Sequence, residues 1–100
     1  MEMRIENNGE KVVAQFIGRL DTVAATKINA EMATLVENAD KEITLDFAQL
    51  EFISSSGLRL LLTLNKQAKT KGGKVIIVSA NDEIRKVFKI TGFSNLFTII

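Results

Sequence analysis

The segment EITLDFAQLEFISSSGLRLLLTLNKQAKTKGGKVIIV, residues 42–78, contains the pattern that decides the fold. It opens with residues 42–47, where apolar and polar side chains alternate as they do in a strand with one buried face. Residues 48–57 are predicted to be a connecting loop, and the leucine-rich residues 58–71 are predicted to form a helix. Residues 75–78 are a continuous apolar run, which is typical of a strand buried on both faces. A strand, a helix and a second strand in this order predict parallel strands joined by a right-handed crossover.

The residues before this segment predict an antiparallel hairpin followed by a helix. Asn8-Gly9 lies between two apolar runs and is the strongest short-range signal for a hairpin, because both residues tolerate positive φ. Asp21 is placed to cap the next helix by accepting hydrogen bonds from its free backbone N–H groups. The apolar residues of that helix fall on one stripe at helical spacing: Ala25, Ile28, Met32, Leu35, Val36 and Ala39.

The residues after the segment predict one further helix and one further strand. Asn81-Asp82 is suited to cap a third helix, and residues 96–100 are predicted to close the chain as a strand. The resulting order is β-β-α-β-α-β-α-β. We therefore expect a single α/β domain spanning residues 1–100, with a mostly parallel mixed sheet, an N-terminal antiparallel hairpin and flanking helices.

The composition excludes several classes of protein. The chain has 100 residues, of which 46% are apolar, and it contains neither cysteine nor histidine. Ser-His and Cys-His nucleophile pairs and the usual zinc sites therefore cannot be built, and we expect no enzyme, no metal and no cofactor. The formal net charge of +1 lacks the basic excess of a nucleic-acid-binding protein. The apolar runs are far shorter than the roughly 20 residues of a membrane helix, which favours a soluble cytoplasmic protein.

A cluster of serines is the one segment that suggests a function in addition to a structural role. Ser54-Ser55-Ser56-Gly57 lies where the predicted loop passes into the leucine-rich helix. The free N–H groups and the positive dipole end of a helix favour an anion at such a position, so a phosphorylated hydroxyl would be stabilised there. The simpler interpretation is that a serine at a helix start is an N-cap, and the spacing alone favours that interpretation.

Three stretches of the sequence resemble the recurrent motifs of one known family. They are DFAQLEFISSSGL at residues 46–58, GRLD at residues 18–21 and ITGF at residues 90–93. The first resembles the signature of the STAS domain family, the anti-sigma factor antagonists. The second resembles the stretch before that family's first helix, and the third resembles a stretch near the end of its last core helix. The resemblance extends over nearly the whole chain with the motifs in the family's order, so it implies the same fold.

The resemblance also implies a phosphorylation site. In phospho-regulated members the loop reads acid-Ser-Ser/Thr-Gly, and the first hydroxyl after the acid accepts the phosphate. Aligned on Gly57, the acceptor in this chain is Ser55. Ser54 occupies the position of the acid, and this departure leaves Ser54 and Ser56 as alternative acceptors.

The resemblance implies a partner-switching cycle for such a domain. The unphosphorylated domain binds an anti-sigma factor that is also a serine kinase, and this binding releases the sigma factor. Phosphorylation of Ser55 switches the binding off, and a serine phosphatase restores it. The domain is a ligand and a substrate in this cycle, with no catalysis of its own.

The helix after the serines predicts where the partner binds. At helical spacing the core face is expected to contain Leu60, Leu61, Leu64 and Ala68. Leu58 and Leu62 then fall in line with Ser55, either as partly exposed partner contacts or as part of a wider core stripe. The partner surface is completed by residues predicted to lie near the serine: Ser54, Ser56, Gly57, Arg59, Asp21, which also caps a helix, and Asp46, which is expected to end its strand and orient the serine loop.

Two other functions remain open at the level of sequence. The first is a non-phosphorylated STAS subunit of a transporter or another signalling assembly, with the same surface as a permanent docking face; the missing acid before Ser55 favours it. The second is an enzyme or nucleotide-binding protein, which is disfavoured because Gly72-Gly73-Lys74 matches no phosphate-binding loop. For the switch we expect a monomer that contacts no membrane and no nucleic acid directly.

Overall fold

The computed structural model describes all 100 residues, which form five strands, four α-helices and a short 3₁₀ helix. The strands and helices follow one another along the chain as β1 (Glu2–Asn7), β2 (Lys11–Leu20), α1 (Thr22–Lys27), α2 (Asn29–Glu37), β3 (Glu42–Ile53), α3 (Ser55–Lys71), β4 (Lys74–Val78), α4 (Asp82–Ile90), the 3₁₀ helix (Phe93–Asn95) and β5 (Thr98–Ile99).

The sheet has the strand order β1-β2-β3-β4-β5, with β1 and β2 antiparallel and every other neighbouring pair parallel. This confirms the mixed sheet with an N-terminal hairpin. The hairpin turns at Gly9, which has a φ of 99°, a conformation open to glycine at no steric cost. In the turn, the side chain of Asn7 accepts a hydrogen bond from Gly9 N–H at 2.9 Å.

The helices cover only one face of the sheet. Ile43, Leu45 and Phe47 on β3 are fully buried, whereas Thr44 and Asp46 between them are half-buried. The aromatic core lies on the covered face, where the ring of Phe47 is 5.1 Å from that of Phe16 and 6.4 Å from that of Phe88, measured between centroids. The prediction that β4 is buried on both faces is therefore wrong: Val75 and Ile77 are buried, but Ile76 and Val78 are half-exposed on the open face.

The long helix predicted after Asp21 is divided into α1 and α2. The division lies at Ile28, whose φ of −99° and ψ of 20° depart from helical geometry. Asn29 donates a side-chain hydrogen bond back to Thr26 O at 3.0 Å, which satisfies one of the carbonyl groups freed at the break. The apolar stripe survives the division, because its members lie against the core on both sides of it: Ala25, Ile28, Met32, Leu35 and Ala39 are buried and Val36 is half-buried.

Residues 48–53, which were predicted to be loop, continue β3. They pair with the second half of β2 in a register that shifts between Gln15 and Ile17 and again between Gly18 and Arg19. Such bulges break the alternation of buried and exposed side chains, which explains why the sequence pattern does not identify a strand here. At the other end of the chain, the predicted strand 96–100 is reduced to Thr98–Ile99, because Leu96 and Phe97 form a turn after the 3₁₀ helix and donate their backbone N–H groups to Phe93 O.

Helix α3 packs unusually close to the sheet at Gly57. A Cβ atom at this position would lie 2.7 Å from Leu20 Cγ and 3.0 Å from Ile53 Cγ1. The side chains of Leu20 and Ile53 are both buried, so neither has space to move aside. The absence of a side chain at residue 57 therefore sets the distance between the start of α3 and the ends of β2 and β3.

We predict that Gly57→Ala destabilises the domain. A glycine-to-alanine change inside an unstrained helix is usually worth about 0.5–1 kcal/mol of added stability, but overpacking here should instead remove about 1–3 kcal/mol. Urea unfolding followed by circular dichroism measures the difference. Ser55→Ala, two residues away on an exposed position of the same helix turn, is the matched control and should unfold like the parent chain. A Gly57→Ala protein as stable as the parent would contradict the packing argument.

Candidate functional site

The site is formed where the carboxyl ends of β2 and β3 lie side by side. Leu20 pairs with Ile53 in the parallel register, and the backbone N–H of Ser54 donates to Leu20 O at 2.8 Å. The next residue of each strand caps a helix. The structure thus brings the Asp21 segment and the serine segment together at the carboxyl end of β2 and β3.

Both helix starts are capped by a side-chain oxygen. Asp21 Oδ1 accepts a hydrogen bond from Ala24 N–H at 2.8 Å, which confirms the predicted cap of α1. Ser54 Oγ accepts one from Gly57 N–H at 3.2 Å, so the N-cap of α3 is Ser54. Ser54 therefore performs with a hydroxyl the capping that an acid would perform with a carboxylate.

Ser55 is the first residue of α3 and is exposed. Its hydroxyl makes no hydrogen bond within the chain, in contrast to the capping hydroxyl of Ser54. The helix that follows is 17 residues long, so its free N–H groups and dipole favour negative charge at this end. Ser56 is half-buried, which leaves Ser55 as the most accessible hydroxyl of the cluster.

Of Leu58 and Leu62, the two leucines considered as partner contacts, only Leu62 is partly exposed. Leu58 is 5% exposed and belongs to the core, so the prediction that it contacts a partner is wrong. The buried stripe of α3 is shifted around the helix towards Leu58: it runs through Leu58, Leu61, Leu64 and Ala68, while Leu60 is only half-buried at its margin. Leu62 is also half-buried.

Two further predicted contacts are placed differently by the structure. Gly57 is buried beneath Leu20 and Ile53, so its role is packing rather than surface contact. Asp46 lies in the middle of β3, opposite Gln15 and Val78 on the open face of the sheet. Its carboxylate accepts a hydrogen bond from Ala48 N–H at 3.0 Å and does not orient the serine segment. The expectations that Asp46 ends its strand and that it orients the serine loop are therefore both wrong.

The sequence interpretation missed a pair of surface side chains beside the serines. The guanidinium carbon of Arg19 lies 4.5 Å from the ring centroid of Phe52, a cation–π contact. Phe52 is 38% exposed and precedes Ser54 by two residues. The two residues come together because their strands pair in parallel, and no local sequence signal indicates such a contact. The exposed or half-exposed surface of the site therefore consists of Arg19, Asp21, Phe52, Ser54, Ser55, Ser56, Arg59 and Leu62.

The profile of the STAS domain family matches residues 2–100. This chain belongs to the STAS domain family. The curated relatives of this STAS domain include BtrV of Bordetella bronchiseptica, which is 28% identical over 99% of this chain and 85% of its own length. They also include the anti-sigma F factor antagonist of Lysinibacillus sphaericus, which is 30% identical over 83% of this chain and 72% of its own length. By homology the chain is a member of the anti-sigma factor antagonists.

Solved structures of SpoIIAA share the fold of this STAS domain. The anti-sigma factor antagonist SpoIIAA in its unphosphorylated form is 27% identical, with a TM-score of 0.75 over 99% of this chain and 87% of that one. The same Bacillus cell fate determinant in its phosphorylated form is also 27% identical, with a TM-score of 0.74 over 99% of this chain and 91% of that one. The α/β architecture inferred from the sequence is therefore confirmed.

The STAS domain lacks two other kinds of feature. No helix has the length and apolar character required to cross a membrane. No group of three or more acidic side chains is arranged to hold a metal ion.

We predict that Ser54 stabilises α3 through its side-chain cap. Ser54→Ala should lower the free energy of unfolding by about 1 kcal/mol, because the N–H of Gly57 loses its acceptor. Ser54→Asp should retain the parent stability at neutral pH, because a carboxylate can accept the same hydrogen bond and interacts favourably with the helix dipole. Urea unfolding of both variants beside the parent provides the measurement. Equal destabilisation by alanine and aspartate would show that the hydroxyl is not acting as a cap.

Proposed function

We propose that this STAS domain is an anti-sigma factor antagonist controlled by phosphorylation of Ser55. Its unphosphorylated form binds an anti-sigma factor that is also a serine kinase, which releases the sigma factor. The exposed, unbonded hydroxyl of Ser55 at the start of α3 is the observation that supports this proposal most strongly. The similarity to SpoIIAA, which was solved in both unphosphorylated and phosphorylated forms, supports it independently.

The geometry favours Ser55 over its two neighbours as the acceptor. The hydroxyl of Ser54 is held by its capping bond to Gly57 N–H, and a kinase would have to break that bond to reach it. Ser56 is half-buried, which restricts the approach of a kinase active site. Ser55 requires neither change, so its phosphorylation needs no local unfolding.

We expect the free energy that releases the partner to arise in the interface between the two proteins. A phosphate adds about −1.5 to −2 charges, and the start of a helix stabilises such charge by about 0.3–1 kcal/mol. That stabilisation of the free domain is too small to release a partner by itself. Burying an unpaired charge against a bound protein costs on the order of several kcal/mol. Because about 1.4 kcal/mol corresponds to a tenfold change in affinity, a loss of a hundredfold or more is expected.

The surface around Ser55 supplies the remaining contacts in this proposal. Ser54 precedes Ser55 as the N-cap of α3, and Ser56, Arg59 and Leu62 follow it along the helix. Asp21 lies beside them as the N-cap of α1. A serine phosphatase would act on the same exposed position to restore binding. The domain would act as a monomer, as ligand and substrate rather than as a catalyst, in the cytoplasm where sigma factors function.

A constitutive subunit is the second candidate function. In that case the same surface would be a permanent docking face in a transporter or other signalling assembly, with no phosphorylation. The neutral cap at Ser54 favours this candidate, since the phospho-regulated pattern has an acid there. Modification and affinity measurements distinguish the two.

We predict a single phosphate on Ser55. The protein is incubated with ATP and the anti-sigma factor kinase encoded nearest to it, and the phosphate is located by mass spectrometry. Ser55→Ala should abolish labelling, whereas Ser56→Ala is the matched control and should keep it. Ser55→Ala should bind the anti-sigma factor like the parent, and Ser55→Asp should bind about a hundredfold more weakly or worse, because its charge would be buried unpaired.

Two outcomes would contradict this prediction in different ways. Labelling that persists in Ser55→Ala would assign the phosphate to another residue. A partner that binds Ser55→Ala and Ser55→Asp equally well would instead support the constitutive subunit.

A further inference from the structure

A groove runs between the second half of β3 and the first half of α4. The pairing of β3 with β4 ends at Asp46 and Val78, so residues 48–53 have β2 on one side and no strand on the other. Two surface recesses occupy the space left beside α4, and they are adjacent because Glu51 and Glu83 line both of them; together they are called the groove. The groove therefore follows β3 for six residues, about 20 Å of extended chain.

The width of the groove is held by Asn81. Its side-chain N–H donates to Leu50 O on β3 at 3.2 Å, and its side-chain oxygen accepts from Ile84 N–H at 2.9 Å. One side chain thus caps α4 and joins that helix to the strand. This arrangement makes the groove a fixed feature of the folded domain.

The groove has an apolar floor and an acidic rim. Ile53 and Ile84 are buried in its floor, and the half-exposed Val87 and the exposed Phe52 extend the apolar area towards the serine end. Glu51 and Glu83 on the rim are both exposed. Asp82, beside Glu83, adds a third exposed carboxylate to the rim.

No basic side chain forms a salt bridge with the carboxylates of this rim. None of the residues that line the two recesses is basic, and the salt bridges of the chain involve other carboxylates. Arg85 is directed away, with its guanidinium donating to Ala80 O and Ile100 O, and Arg19 stacks on Phe52.

Helix geometry explains only part of the acidic rim. Asp82 and Glu83 lie in the first turn of α4, where negative charge is favourable for the helix itself. Glu51 lies on a strand and gains nothing from that dipole. A third carboxylate on the opposite wall of an apolar groove is better explained by a cationic ligand between the walls.

We propose that this groove binds an extended segment of a partner protein in which basic side chains alternate with apolar ones. The apolar side chains would pack on Phe52 and Val87, the accessible apolar side chains of the groove, and the basic side chains would reach the carboxylates on both walls. Charge complementarity identifies the occupant, since an acidic or neutral segment would leave the three carboxylates unpaired. This binding does not require phosphorylation of Ser55 and extends beyond the proposed switch.

The probe for the test is a fluorescein-labelled peptide, acetyl-Lys-Leu-Lys-Leu-Lys-Leu-amide, with a peptide of glutamate in place of lysine as its control. Fluorescence anisotropy should show saturable binding of the lysine peptide alone. Glu51→Gln combined with Glu83→Gln should weaken this binding about fivefold or more, since two exposed charge pairs are lost. Glu6→Gln combined with Glu10→Gln removes the same charge from the exposed hairpin and should leave the affinity unchanged.

Amide chemical shifts measured during the titration locate the peptide. Shifts confined to residues 48–53 and 81–87 would support the proposal. Equal weakening by the two double variants, or shifts spread over other acidic surfaces, would overturn it, because the attraction would then be non-specific. Concentration-dependent self-association that is lost in the Glu51→Gln and Glu83→Gln variant would also overturn it and would assign the groove to a second copy of the chain.

Discussion

The close packing of the first turn of α3 against the sheet is the constraint on which the site depends. Gly57 lies against Leu20 and Ile53 at distances that leave no space for a Cβ atom. This packing holds the carboxyl ends of β2 and β3 together, and the backbone bond from Ser54 N–H to Leu20 O completes the junction. The two capped helix starts and the exposed hydroxyl of Ser55 follow from that junction, because each lies within a few residues of it.

Much of the fold could be predicted from local signals with a direct physical cause. Asn8-Gly9 predicts the hairpin because both residues tolerate positive φ, and Asp21 and Asn81 predict helix starts because their side chains accept free backbone N–H groups. Gly72 ends α3 with a φ of 81°, as a left-handed cap requires. These signals are local: the predicted hairpin is present, with positive φ at Gly9 and not at Asn8, and the predicted caps at Asp21 and Asn81 are present as well.

The errors arose where tertiary structure overrides a local pattern. Residues 48–53 resemble a loop because the bulges against β2 interrupt their alternation. The aliphatic run of β4 indicates burial on both faces, but an open face is permitted because all the helices pack on the other one. A helical projection leaves Leu58 either at the surface or in a wider core stripe, and the close approach of α3 at Gly57 places it in the core. The contact of Arg19 with Phe52 has no local signal, since it depends on the pairing of two strands.

The two neighbouring helix caps differ in charge. Asp21 caps α1 with a carboxylate, whereas Ser54 caps α3 with a hydroxyl. A carboxylate adds a negative charge beside the helix that it caps, whereas a hydroxyl accepts the same hydrogen bond without compensating the positive end of the helix dipole. The start of α3, where Ser55 lies, therefore retains an attraction for an added anion that its own cap does not neutralise.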